Sequence, residues 1–147
     1  MQLLSDRKRH YANTEVFDGK VGIGTHVIES EYQLQVNGNV FVSEEVYALS
    51  DARFKENIEP ITDALQKVLS MTGVAYTLKY HPSRRHIGLL AQEVQNVVPK
   101  AVLTAEDGTL AVSYPNLVAV LIQATKQMHA DIQALKEEVG ALKARLE

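Results

Sequence analysis

The sequence predicts an α+β chain in two parts: a small β-rich segment over residues 1–49, and an α+β module over residues 50–147 that ends in a long helix. Short alternating apolar runs punctuated by glycine occupy the first part, whereas helix and strand periodicities alternate in the second. Apolar heptads then continue through the last residues. A hydrophobic content of 46% is ordinary for a globular protein and argues against disorder.

The β-rich segment is predicted from two alternating runs, residues 20–24 and 32–36. The Asn37-Gly38 pair tolerates the positive φ values of a two-residue turn, so we expect a hairpin that leads into a strand over residues 40–42. Residues 25–28 also favour a strand. Strands this short leave their edges open and need partners, which oligomerisation would supply.

The first helix of the module is expected to begin near Glu59-Pro60, because proline is favoured at the first helical position, and to end at Gly73. Its apolar positions fall on one helical face: Ile61, Leu65, Val68 and Leu69. The next predicted elements, in order, are a strand over residues 74–80, a polar loop over 81–85, a strand-to-helix run over 87–94 closed by Pro99, and a hairpin of 101–104 and 110–114 around a turn at 106–108.

The last helix is predicted to begin at Pro115 and to form a coiled coil over about residues 116–147. Its apolar residues are spaced alternately four and three apart, as the a and d positions of a heptad require. The expected trimer seam consists of Leu121, Met128, Ile132, Leu135, Val139, Leu142 and Leu146, with Val118 and Thr125 also at a.

Charges beside the seam favour parallel, in-register helices and therefore a homo-oligomer. Acidic residues at g precede lysines at e by five positions: Asp131 with Lys136, and Glu138 with Lys143. Ile122 at e and Ala124 at g widen the seam toward a trimer, whereas β-branched residues at a with leucine at d lean toward a dimer. The alternative is an amphipathic helix that packs only within its own domain.

Composition argues against several classes of partner. A net charge of −3 and a pI near 6.0 give no electrostatic case for nucleic acid or an anionic membrane. No apolar run is long enough to span a membrane and the first residues are too polar for a signal peptide, so we expect a soluble protein that is intracellular when made. There is no cysteine, and the histidines lack ligand spacing, so no metal site and no cofactor are expected.

The junction between the two parts carries the candidate chemistry. Ser50 and Lys55 lie in residues 50–58 (SDARFKENI), and a neutral lysine amine can take the proton from a serine hydroxyl. This spacing alone is common and usually belongs to solvated side chains. The identification of a Ser–Lys dyad therefore depends on the wider sequence.

Several separated motifs in the same order resemble the C-terminal intramolecular chaperone of phage tail spikes and fibres, including endosialidases, which releases itself with a Ser–Lys dyad. The resemblance covers essentially residues 20–147. The motifs are residues 22–25 (GIGT), 34–38 (LQVNG), 50–58, 87–94 (IGLLAQEV) with Pro99, and 112–114 (VSY) with Leu117.

The resemblance implies that Ser50 is the nucleophile, that Lys55 is the base, and that the Leu49–Ser50 bond is cut. Residues 1–49 would then be the C-terminal end of a fibre or spike, and residues 50–147 its homotrimeric chaperone. The partners would be the other copies and the fibre part of the same chain. The chaperone would act in the host cytoplasm during virion assembly, and the parent fibre would belong to the virion tail.

The chemistry places conditions on this dyad. A lysine accepts a proton only as the neutral amine, which burial favours; a nearby Arg53 would help, whereas Asp51 and Glu56 would oppose it. Asp51, Arg53 and Asn57 are the candidate supporting residues. Five positions of separation require a turn, expected as a strand ending at Leu49 and a helical turn starting near Asp51, unless Lys55 serves a neighbouring chain.

Three functions follow from these observations. The first is a folding aid that trimerises, holds fibre chains in register and then cuts itself off. The second is a permanent trimerisation or capping domain that never cuts. The third is the same module in a membrane-tethered transcription factor of the myelin-regulatory type, in which cleavage releases the DNA-binding part. Gln92 and Glu93 are interpreted as fold or interface residues rather than catalytic ones.

Overall fold

A computed structural model describes residues 8–11, 14–17, 19–25 and 32–146, with side chains for residue 17, 19–25 and 32–146. The chain divides into two compact units, Met1–Phe54 and Lys55–Glu147. Helices and strands are mixed, and the chain ends in a long helix. The predicted α+β class is confirmed.

The described part of the first unit contains two pairs of short strands. β1 (Lys8–Tyr11) and β2 (Thr14–Phe17) are antiparallel, whereas β3 (Val21–Ile23) and β4 (Leu34–Val36) are parallel. The strands predicted over residues 20–24 and 32–36 are therefore confirmed. The strand predicted over residues 25–28 falls largely outside the described residues.

The hairpin predicted at Asn37-Gly38 is wrong, because β4 pairs with β3 and residues 40–42 form no strand. Asn37 instead ends the parallel ladder. Its backbone N–H donates to the Ile23 carbonyl at 2.8 Å, and its Nδ2 donates to the Gly24 carbonyl at 3.3 Å. Gly24 has a φ of 68°, and a Cβ there would lie 2.9 Å from the Asn37 carbonyl oxygen. This close approach requires glycine.

In the second unit, α1 (Ala64–Leu69) begins later and ends earlier than predicted. Asp63 has a left-handed φ of 51°, which interrupts any helix that continues from Pro60. The Ser70 hydroxyl donates to the Gln66 carbonyl at 2.8 Å where the helix ends, before Gly73. The packing of Ile61, Leu65 and Val68 against the core is as expected, whereas Leu69 is 67% exposed.

The polar loop predicted at residues 81–85 is wrong, because β6 (His81–Gly88) pairs there with β5 (Val74–Leu78). The polar side chains of residues 81–85 are exposed to solvent, so they are compatible with a strand. The ladder is irregular: Leu78 is opposite His81, whereas Thr77 is opposite Arg85. Residues 82–84 therefore bulge, a place where Pro82 needs no ladder partner.

The remaining elements confirm their predictions. α2 (Ala91–Val97) is followed by a 3₁₀ turn (Pro99–Ala101), and β7 (Val102–Thr104) forms a hairpin with β8 (Leu110–Val112). Gly108 has a φ of 84° in the hairpin turn. α3 (Tyr114–Ala144) carries Pro115 in its first turn and is the predicted long C-terminal helix.

The core of the second unit consists of two clusters against one side of α3. Val120 and Ala124 pack with Ala64 of α1, and Leu117 packs with Val94 and Ala101. Val98 contacts both clusters and joins them. The buried hydrophobic residues of the described chain are Ala64, Val94, Ala101, Leu117, Val120 and Ala124.

Gly88 and Tyr114 join the β6–α2 segment to the start of α3. The Leu89 N–H donates to the Tyr114 hydroxyl oxygen at 3.0 Å. A Cβ at Gly88 would lie 2.5 Å from that oxygen and 3.3 Å from Cε1 of Tyr76. The absence of a side chain at Gly88 is therefore what admits the tyrosine.

We predict that Gly88→Ala lowers the free energy of unfolding by about 1–3 kcal/mol through this overlap. Tyr114→Phe should cost about 1 kcal/mol through the lost hydrogen bond. In the Tyr114→Phe background the added methyl group no longer meets the hydroxyl oxygen, so Gly88→Ala should cost less there. Denaturant unfolding of the two single variants and the double variant measures this coupling. Strict additivity would contradict the contact.

Candidate functional site

The predicted cleavage bond lies in an irregular, exposed segment. Residues 45–50 form neither helix nor strand, Ser50 is exposed, and Leu49 is 78% exposed. The strand expected to end at Leu49 is wrong, since a strand needs a hydrogen-bonded neighbour and residues 45–50 belong to no ladder of the described chain. The bond is therefore in extended or irregular chain, the form in which a carbonyl is open to attack.

The helical turn expected after Ser50 is confirmed. A 3₁₀ turn spans Ala52–Phe54, and the Phe54 N–H donates to the Asp51 carbonyl at 3.1 Å. This turn lies between Ser50 and Lys55, where the spacing of the two residues predicted one.

Asp51 and Arg53 form a local clamp at this turn. The Arg53 backbone N–H donates to Asp51 Oδ1 at 2.9 Å, and the guanidinium donates to Oδ2 from Nε at 3.0 Å and from Nη2 at 2.7 Å. The arginine side chain, and then the arginine N–H, hold the pKa of the Asp51 carboxyl below its usual value. The same bond raises the pKa of Arg53.

This clamp changes the expected electrostatics of the dyad. Sequence reasoning set the positive charge of Arg53 against the negative charge of Asp51, but the two charges are paired with each other and largely offset. Lys55 is exposed.

The structure assigns Ser50 to the first unit and Lys55 to the second. The pairing of the two side chains therefore stays a prediction. Asn57, the third candidate supporting residue, has a φ of 52°. Asparagine adopts this left-handed conformation more readily than most residues, so Asn57 redirects the backbone two positions after Lys55.

Within the Gln92-Glu93 pair, Glu93 has a structural role. Glu93 Oε2 accepts a hydrogen bond from the Thr72 N–H at 2.8 Å, which ties the first turn of α2 to the segment after α1. Gln92 is exposed. The Leu89–Tyr114 bond links the 87–94 motif to the 112–114 motif. These two motifs meet through the fold, a relation that sequence spacing alone did not predict.

The expected seam is exposed along α3 and, at Leu146, just beyond its end. The exposed fractions of its seven residues range from 43% at Ile132 to 88% at Leu146. The alternative interpretation was an amphipathic helix that packs only within its own domain. The residues that α3 buries in its own unit are Leu117, Val120 and Ala124, and none of them belongs to the seam. The helix therefore has one apolar face packed in its own unit and a second apolar stripe open to solvent.

A groove of about 290 Å³ also lies in the second unit. Its lining is mainly aliphatic, and the Lys67 amine beside it already donates to the Thr62 carbonyl at 2.7 Å. Among the described residues, no cluster of three or more histidine, aspartate or glutamate side chains has a geometry suited to a metal ion. No helix in that part of the chain combines the length and apolar character of a membrane span.

Comparison with known proteins confirms the resemblance. Residues 50–103 match the model of a peptidase family described as chaperone of endosialidase. The long tail fiber proteins Gp37 of Enterobacteria phages K3 and T2 are each 35% identical to this chain over 102 residues, or 64% of it and 8% of their own length. Myelin gene regulatory factor-like A of Dictyostelium discoideum is 29% identical over 154 residues, or 89% of this chain and 16% of its own length.

The chain thus spans less than a fifth of the length of these relatives. Their similarity concerns one module of much longer proteins. The family match begins at residue 50, the position of the candidate nucleophile.

We predict that the Asp51 carboxyl titrates below the usual value of about 3.9, because the Arg53 guanidinium stabilises its charged form. The clamp is complete above the unfolded pKa and is lost as pH falls through the lower folded pKa. Carbon-detected NMR titration measures the pKa of the Asp51 carboxyl directly. Arg53→Gln should return the pKa of Asp51 toward 3.9 and leave Asp107 unchanged, since the Thr109 N–H lowers the pKa of Asp107. An unaltered Asp51 titration in Arg53→Gln would contradict the clamp.

Proposed function

We propose that this chain is a self-releasing chaperone module attached to the end of a fibre, with Ser50 as nucleophile and Lys55 as base. The observation that carries the proposal is the family match that begins at Ser50, the residue expected to become the new N-terminus. Residues 1–49 are the end of a phage tail fibre or spike in this proposal, and residues 50–147 hold three chains together until the fibre has folded.

The proposed reaction starts with attack of Ser50 Oγ on the carbonyl carbon of Leu49, while the neutral Lys55 amine takes the hydroxyl proton. Collapse of the tetrahedral intermediate breaks the Leu49–Ser50 C–N bond, and the lysine returns the proton to the departing Ser50 nitrogen. Leu49 is then esterified to Ser50 Oγ. Water hydrolyses this ester to give a Leu49 carboxylate and a fragment that begins at Ser50.

Assembly is the proposed control on this reaction. In the single chain Lys55 is exposed, and so are the seam residues of α3. Docking three chains would cover the apolar stripe and would provide the burial that favours a neutral amine. The cut would then follow assembly rather than precede it.

The first unit also has features that fit a fibre completed by other copies. Residues 40–49 form no strand, and their apolar side chains are open to solvent, with Phe41 91% exposed. In a trimer these segments could pair with one another, which requires a common register. Removing the chaperone afterwards would leave the fibre stable through a high barrier to unfolding.

A second candidate is the same module in a membrane-tethered transcription factor. The myelin regulatory factor relatives align over 87–89% of this chain, against 64% for the tail fibre proteins of phages K3 and T2. The self-cleavage chemistry is shared by both candidates, and only the released part differs. A permanent trimerisation domain that never cuts is the remaining alternative.

We predict that the wild-type chain splits at Leu49–Ser50, giving two fragments by intact mass and an N-terminal sequence that starts at Ser50. Ser50→Ala should remain full length and folded, because only the nucleophile is removed. Lys55→Ala should also abolish the cut, and Lys55→Arg should not restore it, since arginine keeps its proton at neutral pH.

The matched control is Lys67→Ala, which removes a lysine of the same unit whose amine binds the Thr62 carbonyl. It should cleave as the wild type does. A wild-type chain that stays intact after refolding and prolonged incubation would exclude self-cleavage and leave the permanent trimerisation domain as the function.

The seam generates a separate prediction. Replacing Leu135 and Leu142 together by aspartate places charges in the stripe, which should abolish the trimer and, if assembly licenses the reaction, the cut as well. Sedimentation equilibrium measures the oligomer, and gel densitometry measures the cut.

The control double variant is Ala134→Asp with Ala141→Asp, which adds the same charges at the same seven-residue spacing but at c positions outside the seam. It should remain a cleaving trimer. A monomeric Leu135→Asp/Leu142→Asp variant that cuts at the wild-type rate would show that the active site is complete within one chain.

A further inference from the structure

Asn37 differs from the other asparagines of the chain in the residue that follows it. Six asparagines occur in the sequence, and Asn37 alone precedes glycine. Each of the other five asparagines precedes threonine or a branched aliphatic residue. These five are Asn13, Asn39, Asn57, Asn96 and Asn116. A side chain on the following residue blocks approach of its backbone nitrogen to the asparagine amide carbon. Glycine presents no such block.

The structure leaves the Gly38 nitrogen accessible. Asn37 and Gly38 are both exposed, and apart from Gly38 and its two chain neighbours no residue has an atom within 4 Å of the position that a Cβ of Gly38 would occupy. The Gly38 N–H forms no hydrogen bond to any residue of the described chain. Gly38 has a φ of 154°, outside the region that other residues favour, so the backbone here depends on glycine.

The Asp107-Gly108 pair provides a contrast within the same chain. Its glycine N–H donates to the Ala105 carbonyl at 2.9 Å, and the Asp107 carboxylate accepts the Thr109 N–H at 2.8 Å. The glycine nitrogen that would have to attack is therefore held in the turn, unlike that of Gly38. The lowered pKa of Asp107 also keeps its carboxyl ionised and therefore unreactive toward an amide nitrogen.

We propose that Asn37 is a site of spontaneous, self-catalysed deamidation. The Gly38 nitrogen bonds to Asn37 Cγ, the Cγ–Nδ2 bond breaks, and ammonia leaves with the former amide proton of Gly38. The product is a five-membered succinimide. Water then opens the ring at either carbonyl and leaves aspartate or isoaspartate at position 37, a net exchange of NH₃ for H₂O.

The conversion acts on the end of the β3–β4 ladder. Asn37 Nδ2 donates to the Gly24 carbonyl, whereas a carboxylate at the same place has no proton to donate and faces an oxygen. Isoaspartate also lengthens the backbone beside the bond from the Asn37 N–H to the Ile23 carbonyl. Each converted chain gains a negative charge and loses one hydrogen bond at the end of the β3–β4 ladder.

The test uses the full chain, incubated folded at 37 °C at two pH values, then digested and analysed by mass spectrometry with chromatographic separation of isoaspartate. We expect position 37 to gain one mass unit as both products, faster at the higher pH, because the deprotonated amide nitrogen is the attacking group. Asn39 is an internal control in the same exposed segment, and it should stay unchanged. Asp107 should not isomerise.

Two variants sharpen the test. Asn37→Gln keeps the side-chain amide but would need a six-membered ring, so its mass should stay constant. Gly38→Ala should slow the reaction several-fold whether or not the local backbone shifts. Equal conversion of Asn37 and Asn39, or no conversion of Asn37 while a synthetic peptide of residues 33–41 deamidates, would overturn the proposal. Neither outcome depends on Ser50 or Lys55, so the result is separate from the proposed self-cleavage.

Discussion

The packing of α3 against α1 and the segment around Val98 organises the second unit. Leu117 belongs to one buried cluster, Val120 and Ala124 belong to the other, and Val98 contacts both. Because both clusters are small, the loss of a single contact would expose a large part of the core. This arrangement commits one face of α3 near its N-terminal end and leaves the heptad stripe of the same helix open. A single helix thus has one face packed in its own unit and an apolar stripe exposed to solvent.

The local signals of the sequence predicted most elements of the second unit. Pro99, Pro115 and Gly108 occupy the turns and helix starts that their backbone preferences require, so α2, the β7–β8 hairpin and α3 could be located in advance. The failures came where tertiary or strand-pairing context decides. The Asn37-Gly38 pair has the composition of a hairpin turn, but the carbonyls of Ile23 and Gly24 bind Asn37 at the end of a parallel ladder. Nothing in the local sequence distinguishes these outcomes.

The candidate site stays a prediction in identity, and the structure adds electrostatics around it that the sequence did not predict. Sequence comparison alone pointed to Ser50 and Lys55, and the turn between them followed from their spacing. The Asp51–Arg53 clamp was missed, because the expected effects of the two charges were treated as separate influences on Lys55. The role of Glu93 was anticipated only as structural, and the Thr72 N–H gives that role a specific bond. The missing information was side-chain geometry, which a motif does not specify.

The bulge in β6 bears on solubility. A two-stranded sheet leaves the outer side of each strand unpaired, and such a side can recruit strands from unrelated chains into aggregates. In β6 the residues 82–84 are displaced from the ladder, Pro82 lacks an N–H to donate, and Arg84 and Arg85 are exposed charges. A strand of another chain would therefore face an irregular and positively charged sheet edge. The hairpin can therefore remain on the surface with little risk of indiscriminate strand addition.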